Sequence, residues 1–202
     1  LVTTDTGVQL WAGRYDRDQG TFSQLHDDLC DEISQKLGAE LTRAEMTLAK
    51  RKPPSEWRVW DIYQQAKGKL QFTGWSSKAF EETAELLRKA VEHDPEFAPA
   101  RAYLALVLAL GHWTRMYPDP GAGRSEALSQ IDRAIELAPD SSEVLGYAGC
   151  ALSDLGQTDR GIPIIERAIE LNPSNSQAHA ALGASRVMAG QVAEGIEELA
   201  YA

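Results

Sequence analysis

The sequence feature that most constrains the fold is a step of 34 residues that relates the segment from Ser142 to Ala202 to itself. Shifting the chain by this step places glycine on glycine three times and alanine on alanine twice, and it carries one proline onto another. The matched pairs are Gly149 with Gly183, Gly156 with Gly190, Gly161 with Gly195, Ala168 with Ala202, Ala134 with Ala168 and Pro139 with Pro173. A fixed period of this length predicts stacked structural repeats.

Within one period, the apolar spacing predicts two antiparallel helices. In the unit that starts at Ser142, the first helix is expected to end at Gly156, and Pro173 is expected to stop the second. We expect Gly149 and Gly183 at the points where paired helices meet, because only a small side chain lets the backbones approach there. The apolar positions of the two helices are Leu145, Ala148 and Leu152, then Ile162, Ile165, Ala168 and Ile169.

Two local signals qualify this pattern. Pro163 falls early in the second helix and removes a backbone hydrogen bond, so we expect that helix to start late or to bend in its first turn. The run Ser174-Asn-Ser-Gln177 has the spacing of a capping box, in which a hydroxyl and an amide satisfy free N–H groups of the next helix.

The period, the small residues at fixed offsets and the closing proline resemble those of tetratricopeptide repeats. The resemblance implies a mainly α fold, an α-solenoid of helix pairs with a concave binding surface. We expect it over residues 51–202, as about four units of which the first is divergent and the last incomplete. The solenoid should be right-handed, with the first helix of each pair on the inside. Ile196 and Leu199 in the last unit should then lack a covering helix.

The first 50 residues have a different pattern. Leu1–Thr4 and Val8–Tyr15 flank the turn residues Asp5-Thr6-Gly7 and predict a β-hairpin, and the apolar spacing from Phe22 to Leu37 predicts a helix. The string Gly7-Val-Gln-Leu-Trp-Ala-Gly-Arg-Tyr-Asp16, with Phe22-x-x-Leu25 and Leu37-Gly-Ala-Glu-Leu41, resembles the end of the TolB-like amino-terminal domain. Residues 1–50 are therefore expected to be the partial α/β segment before the solenoid.

The TolB-like resemblance implies a domain order in a longer protein. In that family the module follows a class III adenylate cyclase domain or a winged-helix regulator and precedes tetratricopeptide repeats in bacterial multidomain proteins. We therefore expect this chain to be a piece of such a protein. Pro53-Pro54 cannot continue a helix and predicts the boundary between the two segments.

The intermediate units are less regular. We expect helices from Ser55 to about Gly68–Gly74, from Ala79 to Val91, from Phe97 to Leu110 and from Ser125 to Leu137. Between the last two lies Gly111–Arg124, about ten residues longer than a standard repeat turn. Inserted turns of this kind usually emerge on one face, often the binding face.

Composition excludes several functions. A net charge of −10 argues against nucleic-acid binding, and no apolar run approaches the length of a membrane span. Cys30 and Cys150 form neither a CxxC motif nor a disulfide ladder, which favours a reducing compartment and a cytoplasmic location.

No motif for catalysis, cofactor or metal binding is complete. Asp5-Thr6-Gly7 matches an aspartic protease loop but has no second copy, and Gly121–Ser125 lacks the lysine of a phosphate loop. His26 and Cys30 lie one helical turn apart without two further ligands. We expect a non-catalytic protein-interaction and regulatory region. The alternatives are a regulatory fragment of a class III adenylate cyclase whose catalytic domain lies elsewhere, and a scaffold for cell-envelope assembly.

The groove residues indicate what kind of partner would bind. None of the inner positions in the second to fourth units is basic, so we expect an apolar or basic segment, from another protein or from the same longer chain. The alternative is that neighbouring helices or solvent fill the groove. A homodimer is a further possible partner arrangement. The candidate partner-binding residues are Leu106, Trp113, Arg115, Tyr117, Glu143, Cys150, Ser153, Asp154, Gln177 and Val187.

Overall fold

The computed structural model describes residues 58–116 and 120–202, which form eight α-helices joined by short turns, with no strand among them. The predicted hairpin, the helix from Phe22 and the residues that resemble a TolB-like domain lie outside the described residues, as does Tyr117. In chain order the helices are α1 Val59–Thr73, α2 Ser77–His93, α3 Ala98–Trp113, α4 Pro120–Leu137, α5 Ser142–Asp154, α6 Thr158–Leu171, α7 Ser176–Met188 and α8 Val192–Tyr201.

The helices form four consecutive pairs, α1–α2, α3–α4, α5–α6 and α7–α8, as the period predicts. The first helices of successive pairs also pack on each other, α3 on α5 and α5 on α7. Within residues 58–116 and 120–202, the second helices make at most marginal contact with one another. The first helices therefore line the inside of the stack, as expected, and the right-handed sense of the solenoid stays a prediction.

Glycine-to-glycine crossings hold the last two pairs together. A Cβ atom built on Gly149 would lie 2.6 Å from Cγ1 of Ile165 and 2.9 Å from the carbonyl oxygen of Gly161. One period later, a Cβ on Gly183 would lie 2.7 Å from Cγ of Leu199 and 2.8 Å from the carbonyl oxygen of Gly195. Real Cβ atoms do not come this close, so the predicted role of the two glycines is confirmed.

The turn inside each of these pairs also depends on glycine. Gly156 has φ +79° and Gly190 has φ +85°, a left-handed conformation that glycine adopts without strain. The N–H groups that follow bond back to the helix, from Gln157 to Leu152 and from Gln191 to Arg186, at 2.8 Å in both cases. This closes the carboxyl end of each first helix and turns the chain into the second.

The helix that contains Pro163 does not start late. α6 begins at Thr158, and the N–H groups of Arg160 and Gly161 both bond to the carbonyl of Gln157, at 3.0 and 2.9 Å. The first turn is thus closed before the chain reaches Pro163, and the expected late start is wrong.

The start of α7 differs from the predicted capping box. Asn175, not Ser174, is the N-cap, and its Oδ1 accepts from the N–H of Ala178 at 3.0 Å. The amide of Asn175 also donates to Oγ of Ser142 in the preceding pair at 2.8 Å. Gln177 is therefore free of the capping role and lies instead on the inner side of the stack.

The predicted long turn is shorter than its sequence indicates. α3 continues to Trp113 and α4 begins at Pro120, so most of Gly111–Arg124 is helical. Pro120 occupies the first helical position, where its fixed φ suits a helix and its missing N–H costs nothing. Of the segment between these two helices, residues 114–116 are described.

Charged side chains tie α6, α7 and α8 together. The guanidinium of Arg186 donates to Glu166 and to Glu198, at 3.0 Å in both cases. The ring nitrogens of His179 lie 2.8 Å from Oε2 of Glu198 and 3.0 Å from the carbonyl oxygen of Pro173. The ring of His179 therefore bridges the turn before α7 to α8.

Candidate partner-binding cleft

The structure brings the candidate residues together in two places. Leu106 and Gln177 line a cleft of about 300 Å³ on the inner side of the stack, and Glu143 lies at its edge. Trp113, Arg115 and Asp154 line a separate concavity at the carboxyl ends of α3 and α5. We call the first the inner cleft; its lining is Lys67, Leu70, Gln71, Trp75, Tyr103, Leu106, Val107, Leu110, Tyr147 and Gln177.

Tyrosine rings form one wall of the inner cleft. The ring centroids of Tyr103 and Tyr147 are 5.1 Å apart, and Tyr63 meets Tyr103 edge to face at 6.2 Å. Burial raises the pKa of the Tyr103 and Tyr147 hydroxyls. Burial and the nearby charge of Glu143 also raise the pKa of Tyr63. All three therefore remain neutral at physiological pH. Tyr103 and Tyr147 line the cleft and offer flat, largely apolar surfaces, and Tyr63 is fully buried against Tyr103.

The charges at the inner cleft are already paired. Nζ of Lys67 lies 2.7 Å from Oε1 of Glu143, and the Tyr63 hydroxyl donates to the same oxygen at 3.0 Å. The ammonium group also sits 5.3 Å from the ring centre of Tyr63 and 5.7 Å from that of Tyr147. Lys67 is thus held by one carboxylate and two aromatic faces, and it adds no unbalanced charge to the cleft.

Gln177 is the polar residue that α7 contributes to the lining of the inner cleft. Its Oε1 atom is buried and has no hydrogen-bond partner in the described part of the chain. A Cβ on Gly146 would lie 2.7 Å from this atom, so the glycine makes room for the amide. A buried acceptor without a donor is unfavourable, so the amide is held here at a cost in stability.

The second concavity, which we call the edge pocket, has a volume of about 620 Å³. It is lined by His112, Trp113, Arg115, Asp154, Leu155 and Gly156, and Trp113 is 59% exposed. Arg115 has φ +56°, a conformation that side chains other than glycine seldom adopt. The residues that the sequence placed in an inserted turn therefore lie at a helix end. The edge pocket does not include Leu106 or Gln177.

Asp154 is the unusual ionisable group of the edge pocket. Burial raises the pKa of its carboxyl from 3.8 to about 6. Well below pH 3.8 the group is neutral in the folded and the unfolded chain and has no effect on stability. As the pH rises from 3.8 to about 6, the unfolded chain loses this proton before the folded chain does, so the free energy of unfolding falls; above pH 6 the loss is constant.

We therefore expect Asp154→Asn to stabilise the protein at pH 8 by on the order of 2 kcal/mol, and by almost nothing below pH 4. Urea denaturation of the two proteins across this pH range measures the difference. The control is Glu197→Gln, an exposed carboxylate on α8, for which a change below about 0.5 kcal/mol is expected at every pH. An Asp154→Asn effect of equal size at pH 4 and pH 8 would contradict the assignment.

Three other candidates lie apart from both sites. Ser153 is 2% exposed and donates to the carbonyl of Gly149 at 3.2 Å, so it is inaccessible to a partner, which corrects the expectation for this residue. Cys150 is half-buried against the core of the last two pairs, and burial raises the pKa of its thiol. Val187 packs against α8 beside Gly195 and is 39% exposed.

The sequence-based candidates omitted the residues that shape the inner cleft most, Lys67, Tyr103 and Tyr147. A signal for the two tyrosines was present, because each lies eight residues after a repeat-closing proline, Pro95 or Pro139. The segment between the third and fourth helices is longer than in the other units, so a search at a fixed step of 34 does not align the two tyrosines. Lys67 lies in the divergent first pair, where no register identifies the inner positions.

Comparison with solved structures identifies the architecture. A crystal structure of TTC0263, a thermophilic TPR protein of Thermus thermophilus, superposes with a TM-score of 0.63 at 18% identity, covering 84% of this chain and 88% of that one. This chain has a tetratricopeptide-repeat fold. A structure of MamA shares 18% identity with this tetratricopeptide chain, with a TM-score of 0.49 over 85% of this chain and 91% of MamA. No family model matches the sequence.

Among curated proteins, the tetratricopeptide chain is similar to one from Rhizobium meliloti (strain 1021) named "Putative adenylate cyclase 3". The two are 29% identical over 157 residues, which cover 76% of this chain and 25% of the relative. The chain thus spans about a quarter of the length of the curated relative that it matches. Within the described residues, no group of side chains has a metal-binding arrangement, and none of the helices combines the length and apolar character needed to span a bilayer.

Proposed function

We propose that this region is a non-catalytic protein-interaction module whose inner cleft binds an extended peptide segment through an apolar side chain. The observation that carries the proposal is the cleft itself, an aromatic and aliphatic concavity with one buried, unpartnered acceptor at Gln177. Sites of this composition are typical of recognition by burial of apolar surface, with a few polar groups that fix orientation.

The size and lining of the cleft favour an apolar anchor. Leu106, Val107 and Leu110 follow Tyr103 on the same face of α3 and form an aliphatic wall, and the volume of about 300 Å³ suits one or two side chains of a peptide. An extended segment has backbone N–H and C=O groups free of internal hydrogen bonds, and Gln177 is a polar residue in the lining of the cleft that could bond to them.

The paired charges disfavour a strongly acidic or basic anchor. A ligand carboxylate would have to compete with Glu143 for Lys67, and a ligand cation would have to compete with Lys67 for Glu143. Either exchange costs desolvation without a new free charge to offset it. Between the apolar and basic segments expected from the sequence, the geometry supports the apolar one.

The test uses three synthetic peptides that are capped at both ends and differ only at two central positions, Leu-Phe, Lys-Lys or Glu-Glu within a glycine and serine frame. Fluorescence anisotropy should show the Leu-Phe peptide binding most tightly, with little dependence on salt. Leu106→Ala should weaken this binding about tenfold, because it removes part of the apolar wall.

Met188→Ala is the control for Leu106→Ala, since Met188 is an exposed apolar side chain far along the stack from Leu106 and should leave peptide binding unchanged. Circular dichroism of both variants checks that the helices are retained. Tight, salt-sensitive binding of the Glu-Glu peptide alone would overturn the proposal.

For the whole protein, we propose that the module belongs to a cytoplasmic bacterial signalling protein with further domains. The likeness to the Rhizobium meliloti protein and the resemblance of residues 1–45 to a TolB-like domain both support this assignment. They also favour a second candidate, a regulatory region of a class III adenylate cyclase. The coding sequence upstream of Leu1 discriminates among the candidates. A cyclase domain there would select the adenylate cyclase, a winged helix would select a transcription regulator, and a signal peptide would select the cell-envelope scaffold.

A further inference from the structure

The edge pocket continues the inner cleft towards the carboxyl ends of two helices. On α3, Leu106 lines the cleft and Trp113 lines the pocket. On α5, Tyr147 lines the cleft and Asp154 lines the pocket. In both helices the two positions are seven residues apart, which places them on one face, two turns or about 10 Å from each other. An extended peptide covers this distance in about three residues.

Asp154 brings an unpaired carboxylate to the edge pocket. Among the residues that the structure describes, none forms a hydrogen bond or an ion pair with it. Arg124 of α4 donates instead to the carbonyl oxygen of Leu155 at 2.8 Å. Burial raises the pKa of the Asp154 carboxyl to about 6, so the group is largely ionised at neutral pH. A partly buried negative charge without a partner is unfavourable, and a cation supplied by a ligand would offset that cost.

Two further features of the pocket favour a cation. α3 ends at Trp113 and α5 ends at Asp154, so the carbonyl ends of both helices contribute partial negative charge to the same place. The indole of Trp113 is 59% exposed, and the face of an indole ring attracts an ammonium or guanidinium group.

Arg115 is the lining residue that opposes a bound cation. Its side chain is exposed, and it forms no ion pair with Asp154 in the part of the chain that the structure describes. An exposed arginine is well hydrated and can change rotamer, whereas Asp154 is held partly buried in the last turn of α5. The charge that a ligand would neutralise most favourably is therefore the carboxylate of Asp154.

We propose that the peptide bound by this module carries a lysine or arginine about three residues from its apolar anchor, and that this basic side chain binds in the edge pocket against Asp154 and Trp113. The inference rests on the proposed function of the inner cleft, because the cleft holds the anchor. The recognised segment is then bipartite, with an apolar side chain in the cleft and a positive charge at a fixed distance from it.

The test uses the 202-residue chain and capped peptides with the Leu-Phe pair in a glycine and serine frame. The third residue from the pair is serine, lysine or glutamate, placed before the pair in one set and after it in another, because either peptide direction fits the cleft. In at least one set, the lysine peptide should bind about fivefold more tightly than the serine peptide in low salt, and added salt should reduce this gain. The glutamate peptide should bind no more tightly than the serine peptide.

Three variants locate the gain from lysine. Asp154→Asn should abolish it and leave binding of the serine peptide unchanged. Glu197→Gln removes the same charge at an exposed position on α8 and should keep the gain. Arg115→Ala should keep or enlarge the gain, because it removes a like charge from the lining. Circular dichroism checks that each variant retains its helices.

The results separate this inference from the proposed function. If the serine peptide binds and depends on Leu106 but lysine adds nothing, the inference is wrong and the proposed function stands. If the serine peptide does not bind, both are wrong. A gain that survives Asp154→Asn, or that Glu197→Gln reduces equally, would reflect the overall charge of −10 and would overturn the inference. Loss of the gain in Arg115→Ala would also overturn it.

Discussion

Replacing Gly149 with valine is expected to lower the free energy of unfolding by about 3 kcal/mol or more, because the new side chain has no space at the crossing of α5 and α6. Its Cβ alone would lie 2.6 Å from Ile165 and 2.9 Å from the Gly161 carbonyl oxygen. The neighbouring backbone is helical on both sides and cannot move without separating the pair. Urea denaturation followed by circular dichroism measures the loss.

Gly123→Ala is the matched control, since this glycine also lies within a helix. A Cβ there would meet Cδ2 of Leu108 at 3.8 Å, an ordinary contact. The higher helix propensity of alanine should then leave stability unchanged or raise it by up to about 1 kcal/mol. Wild-type stability in Gly149→Val would show that the crossing tolerates a side chain and that the glycine has another role.

The second large effect is expected at Ile165. Ile165→Ala should cost about 3 kcal/mol, because this α6 side chain is fully buried against α5 and α7 and its removal leaves a cavity. Leu199→Ala, at the equivalent position one period later, should cost only about 1 kcal/mol, because that side chain is already 47% exposed.

The comparison of these two variants isolates the contribution of a covering helix, since the positions share the same place in the repeat. Urea denaturation of both variants under one set of conditions gives the difference. Equal losses would mean that Leu199 is covered in solution, by a second copy or by another part of the chain, and sedimentation would distinguish these two cases.

Sequence reasoning reached the fold through a few residues with strict physical requirements. Gly149 and Gly183 tolerate no side chain, and Gly156 needs a positive φ, so the period they share follows directly from the geometry of a helix pair. The exposed positions of Ile196 and Leu199 followed from the same register and are confirmed.

The region from Gly111 to Arg124 shows where local signals mislead. The segment contains three glycines and two prolines, which are typical of a turn. Gly111 is nevertheless buried within α3, and Gly123 lies within α4 and faces Leu108 of α3. Tertiary contact outweighs the low helix propensity of glycine at these places. Pro120 does indicate the start of α4, because proline is favourable as the first residue of a helix.

The inner cleft could be predicted only in part, because its shape depends on distances between units. Register placed Leu106 and Gln177 on the inner side, and both line the cleft. The capping box predicted from Ser174 to Gln177 does not form, because Asn175 is the N-cap. The pairing of Lys67 with Glu143 joins residues 76 positions apart, and no periodicity in the sequence links them.

The inner cleft has walls from four helices, α1, α3, α5 and α7, one from each pair. The width of the cleft is therefore set by the angles between successive helix pairs. A peptide that contacts both Lys67 on α1 and Gln177 on α7 would fix those angles and reduce the motion of the helix pairs relative to one another. By thermodynamic reciprocity, any force or neighbouring domain that changes the angles between the helix pairs also changes the affinity of the cleft for that peptide.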